Sequence, residues 1–184
     1  MNEARSRARS MKLPIAVSPD LAPVDPTEHK VLSPNDEPAS KQVLSPLPGT
    51  QASWLRVRTS YYESGQLYMQ WIEEVTPKGA ILQGSHVRFH PNGVLWQEGQ
   101  YLNNEREGLW TSRYDTGAIE SQGVFRNGLS EGVWTWWYSN STTSAKGDYQ
   151  QDLRQGEWHY WHANGQQKTI MLFKDGLAEG ESTH

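Results

Sequence analysis

Apolar and polar side chains alternate in short runs from about residue 90 to the C-terminus, and the pattern repeats every 24 residues. In a strand, side chains two positions apart lie on the same face. Ile119, Gly123 and Phe125 then share one face of a first strand, and Trp134 and Trp136 share one face of a second. Each period therefore predicts two short strands, with the glycine and aromatic positions in one layer.

Five positions define the repeat, because they hold the same residue type in successive copies at seventeen of twenty places, the exceptions being Ser141, Met171 and Ser182. In chain order they are Gly93, Gly117, Ser141 and Gly165; Gly99, Gly123, Gly147 and Met171; Tyr101, Phe125, Tyr149 and Phe173; Gly108, Gly132, Gly156 and Gly180; and Trp110, Trp134, Trp158 and Ser182. An imperfect earlier copy matches at Tyr62 and Gly65 and again at Gly84 and His86, with four extra residues between. We count about five units, with degenerate ends as expected for terminal units that face solvent.

Two turn signals separate the strands of each unit. The central turns are Asn103-Asn104, Asn127-Gly128, Gln151-Asp152 and Asp175-Gly176, and the connecting turns are HPNG, YDTG, YSNS and HANG. All the central residues except Gln151 readily adopt turn or left-handed conformations. We therefore predict an all-β protein, an elongated single antiparallel meander sheet of about five 24-residue β-hairpins. A strand glycine would let a neighbouring tryptophan ring lie flat on the backbone, so the two columns complement each other.

Residues 1–53 differ from the rest in composition. Eight of the ten prolines lie in the first 48 residues, whereas all nine tryptophans and all eight tyrosines follow residue 53. Because proline removes backbone donors and favours extended neighbours, we expect that neither helix nor sheet can propagate here. We predict a disordered, extended tail over 1–53 and a repeat domain over 54–184. The segment VLSP occurs at Val31–Pro34 and at Val43–Pro46, either by chance or as a pair of short docking motifs.

Charge and cysteine content narrow the class of protein. A net charge of −4 gives no strong positive field, so we expect no nucleic-acid partner. The chain has no cysteine, hence neither a disulfide framework nor a thiolate metal site. No apolar run approaches the roughly 18 to 20 residues of a membrane span. Arg5, Arg7 and Arg9 precede Leu13–Val17, but Pro14 interrupts that run, so we expect no secretory signal and take a cytoplasmic location as the default.

The repeated segments resemble a known family. GQYLNNEREGLW at 99–110, GVFRNGLSEGVW at 123–134 and GDYQQDLRQGEW at 147–158 look like the MORN-repeat variant, a bacterial relative of the MORN repeat. The shared pattern is Gly-x-aromatic, a turn, then Gly-x-Trp, and it covers about residues 61–181. The resemblance implies an elongated, curved sheet of consecutive hairpins. Bacterial members are commonly labelled antitoxin-like, and eukaryotic MORN proteins are associated with scaffolding and membrane-proximal assembly.

We predict that the chain is not an enzyme and needs no cofactor. No serine, histidine and acid arrangement, phosphate-binding loop or dinucleotide fingerprint is present. His86 and His90 would lie about 13 Å apart along a strand, too far for one ion. His159 and His162 would face opposite ways. We expect no metal site, and we interpret His86 and His162 as structural residues at aromatic positions of the repeat.

The face opposite the aromatic layer carries the candidate binding residues. Trp137 and Trp161 occupy equivalent positions on this face, with Arg113 one repeat earlier and Trp96 nearby. Tryptophan and arginine dominate protein interfaces when desolvated, so we predict a protein-binding row. The alternative is that this face packs against the tail or against a helix formed by the first residues, and stacking of a carbohydrate or peptide is a further alternative. We expect the chain to be a non-catalytic protein–protein interaction module, for example an antitoxin-like protein that binds a toxin. The alternative is that it is a structural subunit of a larger bacterial assembly, anchored by its tail. The sheet edges could also self-associate.

Overall fold

The computed structural model describes the backbone of residues 43–44 and 53–182 and the side chains of residues 53–180. The described residues form one twelve-stranded sheet in which each strand pairs with its neighbours in sequence, always antiparallel. The strands are β1 (Val43–Leu44), β2 (Trp54–Tyr61), β3 (Leu67–Thr76), β4 (Gly79–Phe89), β5 (Leu95–Leu102), β6 (Glu105–Arg113), β7 (Ile119–Arg126), β8 (Leu129–Trp137), β9 (Thr143–Gln150), β10 (Leu153–Trp161), β11 (Gln167–Lys174) and β12 (Leu177–Ser182). The prediction of a single antiparallel meander of hairpins is confirmed.

The turns of the hairpins have left-handed residues at their centres. Asn103 and Asn104 have φ values of 52° and 69°, the pattern of a type I′ turn that matches the twist of the flanking strands. Gln151 adopts φ 52° at the same position, although glutamine is a poor turn former. In the connecting turns Gly117 has φ 89°, and Ser141 takes the equivalent place with φ 66°. The position in the sheet thus imposes the left-handed conformation even where the residue does not favour it.

The first strand lies within the predicted tail. Residues 1–42 and 45–52 are outside the described residues, and so is the predicted disorder there. Val43–Leu44, however, pair with Arg56 and Leu55 of β2, so a two-residue strand forms within the predicted tail. The dipeptide has both backbone donors and lies clear of Pro46. It satisfies backbone groups on the edge of β2 that would otherwise face solvent.

One face of the sheet, which we call the ring face, carries the hydrophobic core. Its buried cluster consists of Trp110, Phe125, Trp134, Trp136, Ala145, Tyr149, Trp158, Tyr160 and Phe173, with Tyr101 and Met171 packed against it. Successive rings meet edge to face, as between Phe125 and Trp134 with 5.0 Å between ring centroids. A single hairpin could not bury these rings, so the stacking of neighbouring hairpins creates the core.

Candidate interaction surface

Glycines and tryptophans interlock on the ring face. A Cβ atom built on Gly99, Gly123 or Gly147 would come within 2.3 Å, 2.0 Å and 2.3 Å of the ring of Trp110, Trp134 and Trp158, respectively. Each indole N–H donates to a backbone carbonyl ten residues earlier, as from Trp134 Nε1 to Val124 O at 3.2 Å. The ring face is therefore filled by the repeat itself and leaves little surface for a partner.

Two arginines cover the rings from the side of the hairpin turns. The guanidinium of Arg106 lies 4.8 Å from the ring centroid of Trp110, and that of Arg154 lies 4.7 Å from the ring centroid of Trp158. Such cation–π contacts stabilise a ring and also shield it from water. The two arginines thus cover the rings further and favour a binding surface on the opposite face of the sheet, which we call the second face.

A ladder of hydrogen bonds links the connecting turns to the strands of the next unit. The hydroxyl of Tyr114 donates to the carbonyl oxygen of Trp137 at 2.7 Å, and that of Tyr138 donates to the carbonyl oxygen of Trp161 at 2.8 Å. Burial raises the pKa of Tyr114 to about 12, with further contributions from Glu120 and Tyr138. The hydroxyl therefore stays protonated at neutral pH, and the ladder fixes the backbone at both tryptophans.

The predicted row lies at three equivalent strand ends. Arg113, Trp137 and Trp161 are the last residues of β6, β8 and β10, and all three are partly buried. One strand separates each from the next, which places their backbones about 10 Å apart. The tryptophans follow Trp136 and Tyr160 of the ring face, so by alternation their side chains lie on the second face.

Local contacts hold the members of this row. The Arg113 guanidinium lies 3.3 Å from the carboxylate of Glu98, a pair that is partly exposed. The indole of Trp161 stacks on the ring of His159 with 5.8 Å between centroids and 18° between planes. These contacts restrict the rotamers of Arg113 and Trp161 before any partner arrives, which reduces the entropy that binding costs.

Trp96 joins the row through a histidine. Its ring stacks on His90 with 5.3 Å between centroids, and His90 Nε2 lies 2.7 Å from the carbonyl oxygen of Arg113. His90 thus occupies the place that Tyr114 and Tyr138 take in later units. The structure therefore connects Trp96 with Arg113 at one end of the row.

Sequence analysis missed an aliphatic patch on the second face. Leu109, Val124 and Val133 are 57%, 37% and 51% exposed. Leu109 lies directly across from Val124, and Val133 is on the next strand. Leu109 and Val133 stand between the glycine and the tryptophan of the Gly-x-Trp pattern. The next unit has the polar residue Glu157 at this position. The two aliphatic residues at a position that is polar in the next unit are the sequence signal that could have revealed the patch.

The histidines lie in separate environments. His86 is buried on the ring face between Tyr101 and Trp110, at centroid distances of 5.3 Å and 5.7 Å. Burial, together with the positive charges of Arg88 and Arg106, lowers its pKa to about 4. The ring is therefore neutral at pH 7. Within the part of the chain that the structure describes, no three histidine, aspartate or glutamate side chains are grouped to hold a metal ion.

Comparison with known proteins supports the nature of the repeat. Residues 82–103, which run from β4 through β5 into the following turn, match the MORN repeat variant family. This match supports assignment of the repeat to the MORN-repeat family. No curated protein sequence matches the chain. None of the described residues, 43–44 and 53–182, forms a helix long and apolar enough to cross a membrane.

One similar chain among the solved structures comes from the crystal structure of the GtfA/B complex bound to UDP and GlcNAc. The alignment has 9% sequence identity and a TM-score of 0.25, and it covers 70% of this chain. This chain aligns with only 25% of the length of that one. A likeness of this kind carries no argument about function.

Proposed function

We propose that this chain is a non-catalytic protein–protein interaction module of the MORN-repeat type, and that the row Arg113, Trp137 and Trp161, together with Trp96, is its contact surface. The observation that supports the proposal is the position of the two tryptophans. They lie on the face that the repeat does not use for its core, at the equivalent ends of β8 and β10. Large aromatic residues held in this way are typical anchors of protein interfaces.

The form of the surface favours a protein partner. The row is a line of partly exposed side chains on a sheet, whereas small molecules usually bind in concave pockets. Strand ends about 10 Å apart span more than one side chain of a partner. A bacterial antitoxin or immunity protein, which covers the active surface of a toxin, is one role that such a module would suit.

A second candidate function is that of a structural subunit in a larger bacterial assembly. The observation that favours it is the C-terminal edge of the sheet. Leu177 of β12 is 74% exposed, whereas the equivalent Leu153 is 41% exposed because Gly176 of the following hairpin packs against it. An edge strand with an uncovered leucine can add a strand from another chain. In this role the tail would provide a second anchor.

The first test is affinity purification of partners from the native cell with the full-length chain and with Trp137→Ala/Trp161→Ala. Trp54→Ala is the control, because Trp54 is another tryptophan outside the core but lies on β2, far from the row. We expect one protein to be captured by the wild type and by Trp54→Ala and lost from the double variant. Equal capture by all three chains would contradict the assignment of the row. Stoichiometric capture of many subunits would favour the assembly role.

A further inference from the structure

The aliphatic patch of Leu109, Val124 and Val133 is unusual for the surface of a sheet. It spans the adjacent strands β6, β7 and β8 near the middle of the molecule. Two of its three side chains are more than half exposed. Contiguous exposed aliphatic side chains are typical of a surface that binds another segment or protein. The row of the proposed function is separate from the patch, since Thr111 and Thr135 lie between the two along β6 and β8.

Carboxylates surround this patch. Glu107 and Glu131 lie two residues before Leu109 and Val133 on the same strands, and Asp148 lies directly across from Val133. Glu131 is also directly across from Val124. Two cations lie near it, because Arg126 follows Val124 on β7 and Lys146 lies two residues before Asp148 on β9. The rim of the patch therefore carries three negative charges and two positive charges, and the net negative charge favours an occupant with basic residues beside an apolar run.

The chain itself contains such a segment. Arg5, Arg7, Arg9 and Lys12 immediately precede the apolar run Leu13–Val17. We propose that Leu13–Val17 docks on the aliphatic patch of the same molecule, with the preceding basic residues beside the carboxylates of its rim. Pro14 favours an extended backbone at its neighbour, and an extended segment can lie across successive strands. This docking goes beyond the proposed function, because it holds whether or not a partner uses the row.

The length of the chain permits this contact within one molecule. The tail joins the sheet at Val43 of β1, and 26 residues separate Val43 from Val17. An extended chain of this length reaches about 85 Å. The patch is centred on β7, six strands from β1, a distance of about 30 Å across the sheet. A tethered segment also has an effective concentration of about 1 mM, which populates even a weak contact.

A second copy of the chain is a less favourable occupant. Two patches placed face to face would oppose two sets of three carboxylates, and like charges across an interface are repulsive. The acidic rim of the patch and the basic residues of the tail, in contrast, have opposite charges and attract each other. The order of the tail, with basic residues followed by apolar ones, also supplies both chemistries in one continuous segment.

The experiment uses the full-length chain and its lack of cysteine. The variant Ser18→Cys has a single thiol, next to Val17, to which a nitroxide spin label is attached. Nuclear magnetic resonance then detects which backbone amide signals the nitroxide broadens. We expect loss of the amide signals of Leu109, Val124 and Val133 and their return when the nitroxide is reduced. Amides of β12, five strands from β7, should keep most of their intensity.

Two comparisons decide the outcome. Leu109→Ser/Val133→Ser should abolish the broadening, whereas the matched control Leu177→Ser, at an exposed leucine outside the patch, should leave it intact. Circular dichroism of both variants verifies the fold. A mixture of two kinds of chain detects contacts between molecules. One kind carries the nitroxide but no nitrogen-15, and the other is enriched in nitrogen-15 but carries no nitroxide. Broadening only in that mixture, broadening elsewhere in the sheet, or no broadening would overturn the proposal.

Discussion

Gly123 offers the sharpest test of how the repeat is held together. An added Cβ atom would lie 2.0 Å from the ring of Trp134, whereas ordinary contact begins at about 3.4 Å. Gly123 does not have a positive φ, so alanine is compatible with its backbone. Gly123→Ala would therefore act through one cause, the displacement of the ring from the strand by at least about 1.4 Å.

The expected loss of stability follows from what the ring would lose. Trp134 is 6% exposed, packs edge to face on Phe125 and donates to Val124 O. Burying such a ring removes about 200 Å² from water, or about 5 kcal/mol at about 25 cal/mol per Å². Partial displacement would forfeit part of this term and the hydrogen bond of about 1 kcal/mol. We expect Gly123→Ala to lower the free energy of unfolding by about 3 kcal/mol.

A double-mutant cycle separates this clash from other effects of alanine. In a Trp134→Ala background the ring is gone, so Gly123→Ala should change the free energy of unfolding by less than about 0.5 kcal/mol. Gly132→Ala is the control, because Gly132 has φ 68° and an added Cβ meets no atom within 4 Å. Its cost of about 1 kcal/mol should be equal in both backgrounds. Urea unfolding followed by circular dichroism measures all five variants. An equal cost of Gly123→Ala in both backgrounds would refute the interlocking of glycine and tryptophan.

Three further predictions concern other parts of the sheet. The buried His86 has a pKa of about 4 against 6.5 when exposed, so protonation favours the unfolded chain. The free energy of unfolding should therefore fall by up to about 3 kcal/mol as the pH drops from 6.5 towards 4. His86→Phe, compared with wild type by urea unfolding at several pH values, should lose this part of the pH dependence. Ser141→Gly should raise the free energy of unfolding by about 1 kcal/mol by relieving a left-handed serine, and Gly165→Ser at the equivalent turn should lower it by a similar amount; changes of the same sign would contradict this. Trp137→Ala/Trp161→Ala should weaken partner binding and keep the strand signal in circular dichroism, and collapse of the sheet would instead assign these rings to the core.

The hairpin of β3 and β4 has packing that the repeat pattern in the sequence did not predict. In the later units a glycine of the first strand lies under a tryptophan of the second. In β3 and β4 the order is reversed, since Trp71 takes the place of the glycine and pairs directly across from His86. Glu73, on the same face, binds the guanidinium of Arg56. Only the pairing of strands shows that these residues close the N-terminal end of the ring layer with polar contacts.

The sequence by itself determined the period, the two turns of each unit and the interlocking columns of glycine and tryptophan. These features are local, because the spacing of residues along one or two strands dictates which side chains share a face. The tertiary structure decided what depends on neighbouring units: the pairing of Val43–Leu44 with β2, the tyrosine ladder and the exposure of the aliphatic patch. Exposure is a property of the whole sheet, since the neighbouring strands and units decide whether a side chain is covered.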